Sequence, residues 1–294
     1  MMKRRDFLSA LSAGTLSLGG FAPQLLLAQG MNQPMRAPIH VGKSGLRARD
    51  AEALATWYQS HVGLQEIGRD GATIHMGAGG TVLLEITQYD GIVLAPMRVA
   101  GLYHNAFLLP ARADLARWVL DASARQLRID GYADHLVSEA MYLTDPEGNG
   151  VEIYADRPAS DWVWRNGQVE MDSLQIDFDS MIATLDGQDR TWRGAPAGTV
   201  LGHVHLKVGD TIKASDWWQN AMGFDAVRQR AGAAFLSTGG YHHHIAVNEW
   251  TSMGAGRRDP IHVGLDFVEL RSQGLTAPAI YEDDWGNQIR LLPA

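Results

Sequence analysis

The sequence contains no cysteine, so disulfides, thiolate metal ligands and a cysteine nucleophile are all excluded. Any metal ion must be held by imidazole and carboxylate. Basic stretches are also missing outside the extreme N-terminus. Lys and Arg number 25 against 33 Asp and Glu, a formal charge of −8, which argues against a nucleic-acid surface because that needs clustered cations. Low-complexity sequence is sparse and 46% of the residues are hydrophobic, the balance of a globular, soluble protein. At 294 residues there is room for two ordinary domains or for one domain of repeated units.

Residues 1–30 read as separate from the fold. Lys3, Arg4 and Arg5 precede Asp6-Phe7-Leu8, and Ser9 to Leu27 is a largely apolar run ending near Ala28. A basic head before such a run is the pattern of an export signal. Adjacent arginines followed by Asp-Phe-Leu resemble the twin-arginine type specifically. That resemblance implies periplasmic export of an already folded, metal-loaded protein, with the signal peptide removed and no stable membrane span afterwards. The competing reading is a membrane anchor, but Gly14, Gly19, Gly20 and Pro23 make a weak spanning helix.

Four later stretches look alike, each with an apolar strand, a helix, then strands separated by glycine turns. The expected fold class is α+β, built of tandem βαβββ modules, the fourth shortened, forming two curved-sheet domains. Module one spans 38–90, with Leu54, Trp57 and Tyr58 at helical spacing between Ala51 and Val62. Module two spans 100–156, with a helix from about Ala113 to Ala124 after a capping polar turn. Its strands are expected at Ala133–Val137, Ala140–Leu143 and Gly150–Tyr154. Module three spans 199–250, with a helix near Ile212–Met222 and strands at Phe235–Ser237 and Tyr241–Asn248. Module four spans 260–294 and has lost most of its helix. A connector, 157–198, is too long for bare loop in a compact protein, and Leu174, Ile176, Phe178, Met181, Ile182 and Leu185 suit a short helix within it. Its Trp162, Trp164 and Trp192 read most simply as staples to the domains, with an aromatic substrate lid as the alternative.

Among 11 histidines the informative ones sit at matching places in the repeats. His104 and His203 fall near the start of a module's first strand, and Glu152 falls on the last strand of module two. All three have apolar flanks, and an unpaired buried carboxylate is costly unless a cation relieves it. Two imidazoles and one carboxylate leave one face of an octahedral ion open, an arrangement associated with non-haem Fe(II) oxygenases that also suits Mn(II) or Zn(II).

At this point the chain resembles the extradiol ring-cleavage dioxygenases of the vicinal-oxygen-chelate superfamily, in the catechol 2,3-dioxygenase-like branch. The resemblance rests on His135, Tyr142, the turn Asp145-Pro146-Glu147-Gly148 and Glu152, which follow the family signature in order. Ala133 departs from it, standing where Gly, Asn, Thr, Ile or Val is usual. The resemblance implies a metal triad of His104, His203 and Glu152, an acid/base histidine on module three, and His135 and Tyr142 as hydrogen-bonding partners of a diol. It places the site between the two middle modules. The outer two carry Lys43 where His203 would be and Arg290 where Glu152 would be, and a cation at either place repels a metal ion.

Of His242, His243 and His244, the spacing His243-His244-Ile245-Ala246 picks out His243 as the acid/base residue, and alternation along a strand would turn its neighbours away from it. A surface metal-binding patch is the plainer reading of three adjacent histidines. His205 reads as a packing contact beside the metal ligands; His40, His61, His75 and His262 read as structural. The implied activity is ring opening of a small aromatic diol with O2 at Fe(II), alternatively Mn(II), in a possible homo-oligomer. Two alternatives stand beside it: another metalloenzyme of the scaffold, such as a glyoxalase-like lyase or isomerase, and a periplasmic metal- or aromatic-binding protein. Met141, Trp162, Trp164 and Trp250 are candidates for apolar pocket walls.

Overall fold

The computed structural model describes residues 33–294, so the expected export signal lies outside the described residues. Module one consists of β1 (Ile39–Ala48), helix α1 (Ala51–His61), β2 (Gln65–Asp70), β3 (Thr73–Ala78) and β4 (Thr81–Gln88). Module two has β5 (Gly101–Leu108), α2 (Arg112–Ala124), β6 (Gly131–Asp134), β7 (Ser138–Thr144) and β8 (Gly150–Asp156). The connector holds β9 (Trp164–Arg165), β10 (Gln168–Val169) and α3 (Phe178–Ala183). Module three follows with β11 (Val200–Lys207), α4 (Thr211–Met222), β12 (Asp225–Arg230), β13 (Ala233–Ser237) and β14 (Ile245–Asn248). Module four is β15 (Gly264–Ser272), β16 (Ala279–Glu282) and β17 (Gln288–Pro293), so it lacks the whole helix and one strand.

Local chemistry explains the element ends. Asp50 and Asp210 cap α1 and α4, their carboxylates accepting from Ala53 N and from Ile212 and Lys213 N. Gly223 closes α4 with φ 72°, a conformation that suits a residue without Cβ. The expected polar cap of α2 is absent: Ala111 precedes it and offers no side-chain acceptor. The first hairpin strand of module two ends earlier than expected, at Asp134, because Asp134 Oδ1 accepts from Leu136 N and His135 N donates to Ser138 O. His135 therefore sits on a turn.

Modules pair as one with four and two with three, into a seven-stranded sheet β16-β17-β15-β1-β4-β3-β2 and an eight-stranded sheet β12-β13-β14-β11-β5-β8-β7-β6. Strand β1 packs against β11, and one continuous core of buried apolar side chains reaches both sheets. Each central pair is antiparallel, β1 with β15 and β11 with β5. Both pairs are interrupted at equivalent places, between Val41 and Lys43 and between Gly45 and Leu46 in one, between Leu201 and His203 and between His205 and Leu206 in the other. Such bulges bend a strand and redirect its side chains.

The shared register fixes which residues correspond. Asn105 faces Val151 as Ser44 faces Leu84, Val204 faces Ile245 and Val268 faces Ile289. In the seven-stranded sheet the places of His203, His104 and Glu152 are thus held by Lys43, Phe267 and Arg290. The Arg290 guanidinium lies 3.5 Å from the centre of the Phe267 ring, and Lys43 pairs with Glu85. A cation stacked on an aromatic face fills the place of a metal.

The turn before the last strand is duplicated as well. Asp145 accepts from Glu147 N, Asn149 N and Asn149 Nδ2; Asp283 accepts from Trp285 N, Asn287 N and Asn287 Nδ2. Asp283 is buried, so Asp283→Ala leaves three donors unsatisfied. Denaturant titration should show a loss of about 2 kcal/mol with metal content per chain unchanged, since the candidate ligands His104, His203 and Glu152 belong to the other sheet.

Candidate metal centre

Strands β5, β8 and β11 lie side by side at the centre of the eight-stranded sheet. Their alternation brings His104, Glu152 and His203 to one face, all buried. Two glycines make the close approach possible: a Cβ on Gly202 would stand 1.9 Å from Tyr154 Oη, and one on Gly150 would stand 2.1 Å from Tyr103 O. Glu152 Oε2 lies 3.0 Å from His104 Nε2 and 3.3 Å from His203 Nε2, and the two Nε2 atoms are 3.3 Å apart.

This triangle fits a metal ion. Ligand bonds of about 2.1 Å at angles between octahedral and tetrahedral place neighbouring donor atoms about 3.0–3.4 Å apart. The protonation states agree. Burial alone would raise the Glu152 pKa, but the imidazoles of His203 and His104 outweigh it and hold the carboxyl well below its usual range. Burial lowers His203 to about 4, against the pull of Glu152. An ionised carboxylate beside a neutral imidazole is the state that binds a cation.

The triad opens onto a cavity of about 330 Å³. Two further groups singled out in the sequence line it. His135 Nδ1 donates to Asp172 O at 2.7 Å, because a carbonyl only accepts, so its Nε2 is free to accept from Tyr142 Oη at 2.6 Å. Burial, then the Glu152 carboxylate, pushes the Tyr142 hydroxyl well above its ordinary pKa, and the phenol stays protonated.

His243 also lines this cavity, its ring centre 4.1 Å from that of His203. The expected strand over 241–248 begins only at Ile245. The alternation expected of the three histidines therefore does not apply: His242 and His243 touch each other, Nδ1 to Nδ1 at 2.8 Å. His242 Nε2 donates to Asp156 Oδ1 at 2.9 Å, since a carboxylate only accepts. With a neutral His242 its Nδ1 accepts from His243 Nδ1, which leaves His243 Nε2 bare. Burial first, then His203, holds His243 well below its ordinary pKa. The Asp156–His242–His243 chain presents a neutral imidazole with one defined tautomer. His244 points elsewhere, to Ser237 Oγ and Pro34 O. All three histidines are buried, which rules out a surface patch.

His205 lines the cavity too. Trp250 N donates to Asn248 Oδ1, which turns the Asn248 amide nitrogen to His205 Nε2 at 3.0 Å. Of the apolar wall candidates only Trp250 lines this cavity; Met141 and Trp162 are buried in packed cores. Trp162 staples the connector as expected, while Trp164 is partly exposed. The connector reaches the site by another route, through Met171, Asp172 and Ser173 in the cavity wall. Asp156, Asp172, Arg228 and Arg230 were not singled out from the sequence. Only Asp156, two residues after Tyr154 on the strand that carries Glu152, offered a positional hint.

The family model described as Glyoxalase/Bleomycin resistance protein/Dioxygenase superfamily matches residues 38–153. Catechol-2,3-dioxygenase of Bacillus subtilis (strain 168) is 37% identical over 236 residues, covering 79% of this chain and 82% of that protein. Among solved structures, a dioxygenase candidate from Bacillus subtilis superposes with a TM-score of 0.55 at 13% identity, covering 86% of this chain and 84% of that one. Glyoxalase I from Zea mays gives a TM-score of 0.52 at 13% identity, covering 88% and 94%. At such identities these two structures share the fold. Replacing Glu152 with Ala removes the anionic corner of the triad. Metal analysis of the purified variant should find the ion lost while the secondary structure, followed by circular dichroism, is kept.

Proposed function

We propose, because this chain belongs to the catechol-2,3-dioxygenase family within the glyoxalase/bleomycin resistance protein/dioxygenase superfamily, that it opens the ring of a catechol-type vicinal diol with O2, next to the two hydroxyls. The observation that carries the reading is that His243 and the His135–Tyr142 pair open onto the same cavity as the triad. His104, His203 and Glu152 would hold Fe(II), or alternatively Mn(II), leaving one face of the ion to the reactants. When bound, that ion supplies Lewis-acid and one-electron chemistry to a diol and O2 held side by side.

The protein's own residues divide the remaining work. His243 Nε2, bare and in the cavity wall, takes a proton from a diol hydroxyl and later returns it. Asp156 and His242 keep that nitrogen unprotonated at rest. Tyr142 donates to His135, so its phenol oxygen is left to accept from a diol hydroxyl and orient the ring. Both oxygen atoms of O2 enter the product, and the carbon–carbon bond beside the diol is the one that breaks. The N-terminal Arg4-Arg5 pattern supports a periplasmic address, and no helix among the described residues is long and apolar enough to cross a membrane.

An oxygen electrode should record uptake of one O2 per catechol by the Fe(II)-loaded protein, with both labelled atoms of 18O2 in the product by mass spectrometry. Product formation without O2 uptake would instead assign a lyase or isomerase. Asp156→Asn replaces the acceptor-only carboxylate behind His242 with an uncharged amide that can also donate. It should lower kcat about 10- to 100-fold with little change in KM, and shift the acid limb of the kcat profile.

A further inference from the structure

Arg228 and Arg230 line the triad's cavity, and nothing in the reaction described above uses them. They stand two residues apart on β12, so both side chains leave the same face of the strand. Strand β12 is an edge of the eight-stranded sheet, which sets that face at the rim, Arg228 half-buried and Arg230 exposed. The Arg230 guanidinium lies 5.5 Å from the centre of the Phe235 ring and 5.7 Å from that of Trp250, two other members of the wall.

Several arginines elsewhere are matched by carboxylates, as Arg112 is by Glu139 and Arg157 by Asp134, while Arg258 and Arg290 are held by backbone carbonyls or by Gln288 and the Phe267 ring. Among the described residues neither Arg228 nor Arg230 forms an ion pair with one. Two carboxylates line the cavity, Glu152 and Asp172. Glu152 is committed to the two imidazoles, and Asp172 Oδ1 accepts from Ser173 N. The two guanidiniums thus present ten N–H donors on two planar forks, with no carboxylate in an ion pair with either. A volume of about 330 Å³ is at the small end of ligand cavities, which run from about 300 to 1,000 Å³, and suits a single ring with a short substituent.

We propose that the diol carries a carboxylate at the end of a short ring substituent and that Arg228 and Arg230 receive it. This rests on the ring-opening reading for the identity of the diol, but the charge preference is a property of the cavity wall. Guanidinium forks match carboxylates in geometry as well as charge. A neutral ring would cover these cations without pairing them.

Calorimetry on the Fe(II)-loaded protein without oxygen separates the two readings, comparing 3,4-dihydroxyphenylacetate with 4-methylcatechol. The carboxylated diol should bind about tenfold more tightly, the expectation for charge-assisted hydrogen bonds at a partly exposed rim. That ratio should shrink with added salt and fall toward one in the Arg228→Gln/Arg230→Gln double variant. Arg230→Lys, which keeps the charge, should retain part of it. Equal affinities in the unaltered protein, or a ratio that the double variant and salt both leave in place, overturn the proposal. If the preference is present but no O2 is consumed with either diol, the ring-opening reading fails and the arginine site stands.

Discussion

One buried carboxylate organises this protein's chemistry. Glu152 sits on β8 near the centre of an eight-stranded sheet, and the next two strands on one side, β5 and β11, each aim an imidazole at the same oxygen. Burying such a charge without a partner costs several kcal/mol, and hydrogen bonds to two imidazoles return only part of it. A divalent cation would complete the arrangement. The glycines at 150 and 202, the bulges in β11 and the close pairing with β5 all serve that convergence.

The seven-stranded sheet shows the same scaffold turned to another use. Its central strands carry the same bulges in the same register, and its Asp283 turn repeats the Asp145 turn bond for bond. Yet the three ligand places hold Lys43, Phe267 and Arg290. A guanidinium on an aromatic ring and an ammonium paired with Glu85 fill the space without metal. The backbone geometry that builds a metal centre is therefore separable from the side chains that occupy it, and module four could shed its helix without disturbing the central strands.

Around the triad, hydrogen-bond direction sets the protonation pattern. Asp156 and the carbonyl of Asp172 only accept, and each fixes a proton on the histidine beside it. From there the tautomers follow, ending in a bare nitrogen on His243 and a phenol oxygen on Tyr142 with room to accept. The connector supplies Asp172, so the segment between the two modules that carry the triad also orders one wall of their cavity.

The order of residues was enough to reveal the repeats and to offer His104, His203 and Glu152 as candidate ligands; the resemblance to a known family pointed to the middle modules and to His135 and Tyr142. The repeats depend on periodicity and the family signature on short-range spacing, and both survive in a linear chain. The exclusion of the outer modules was legible too, because Lys43 and Arg290 carry the wrong charge wherever the strands happen to run. The sequence misplaced the histidine run by continuing a strand through residues 241–244, where β14 starts at Ile245. It also passed over Asp156, Asp172, Arg228 and Arg230, which look like ordinary surface charges until the sheet order puts them beside the site. Which proton sits on which nitrogen, and which cations lack an anion, are relations between residues as much as 86 positions apart. Only the packed structure brings such residues within hydrogen-bonding distance, so only tertiary structure could decide them.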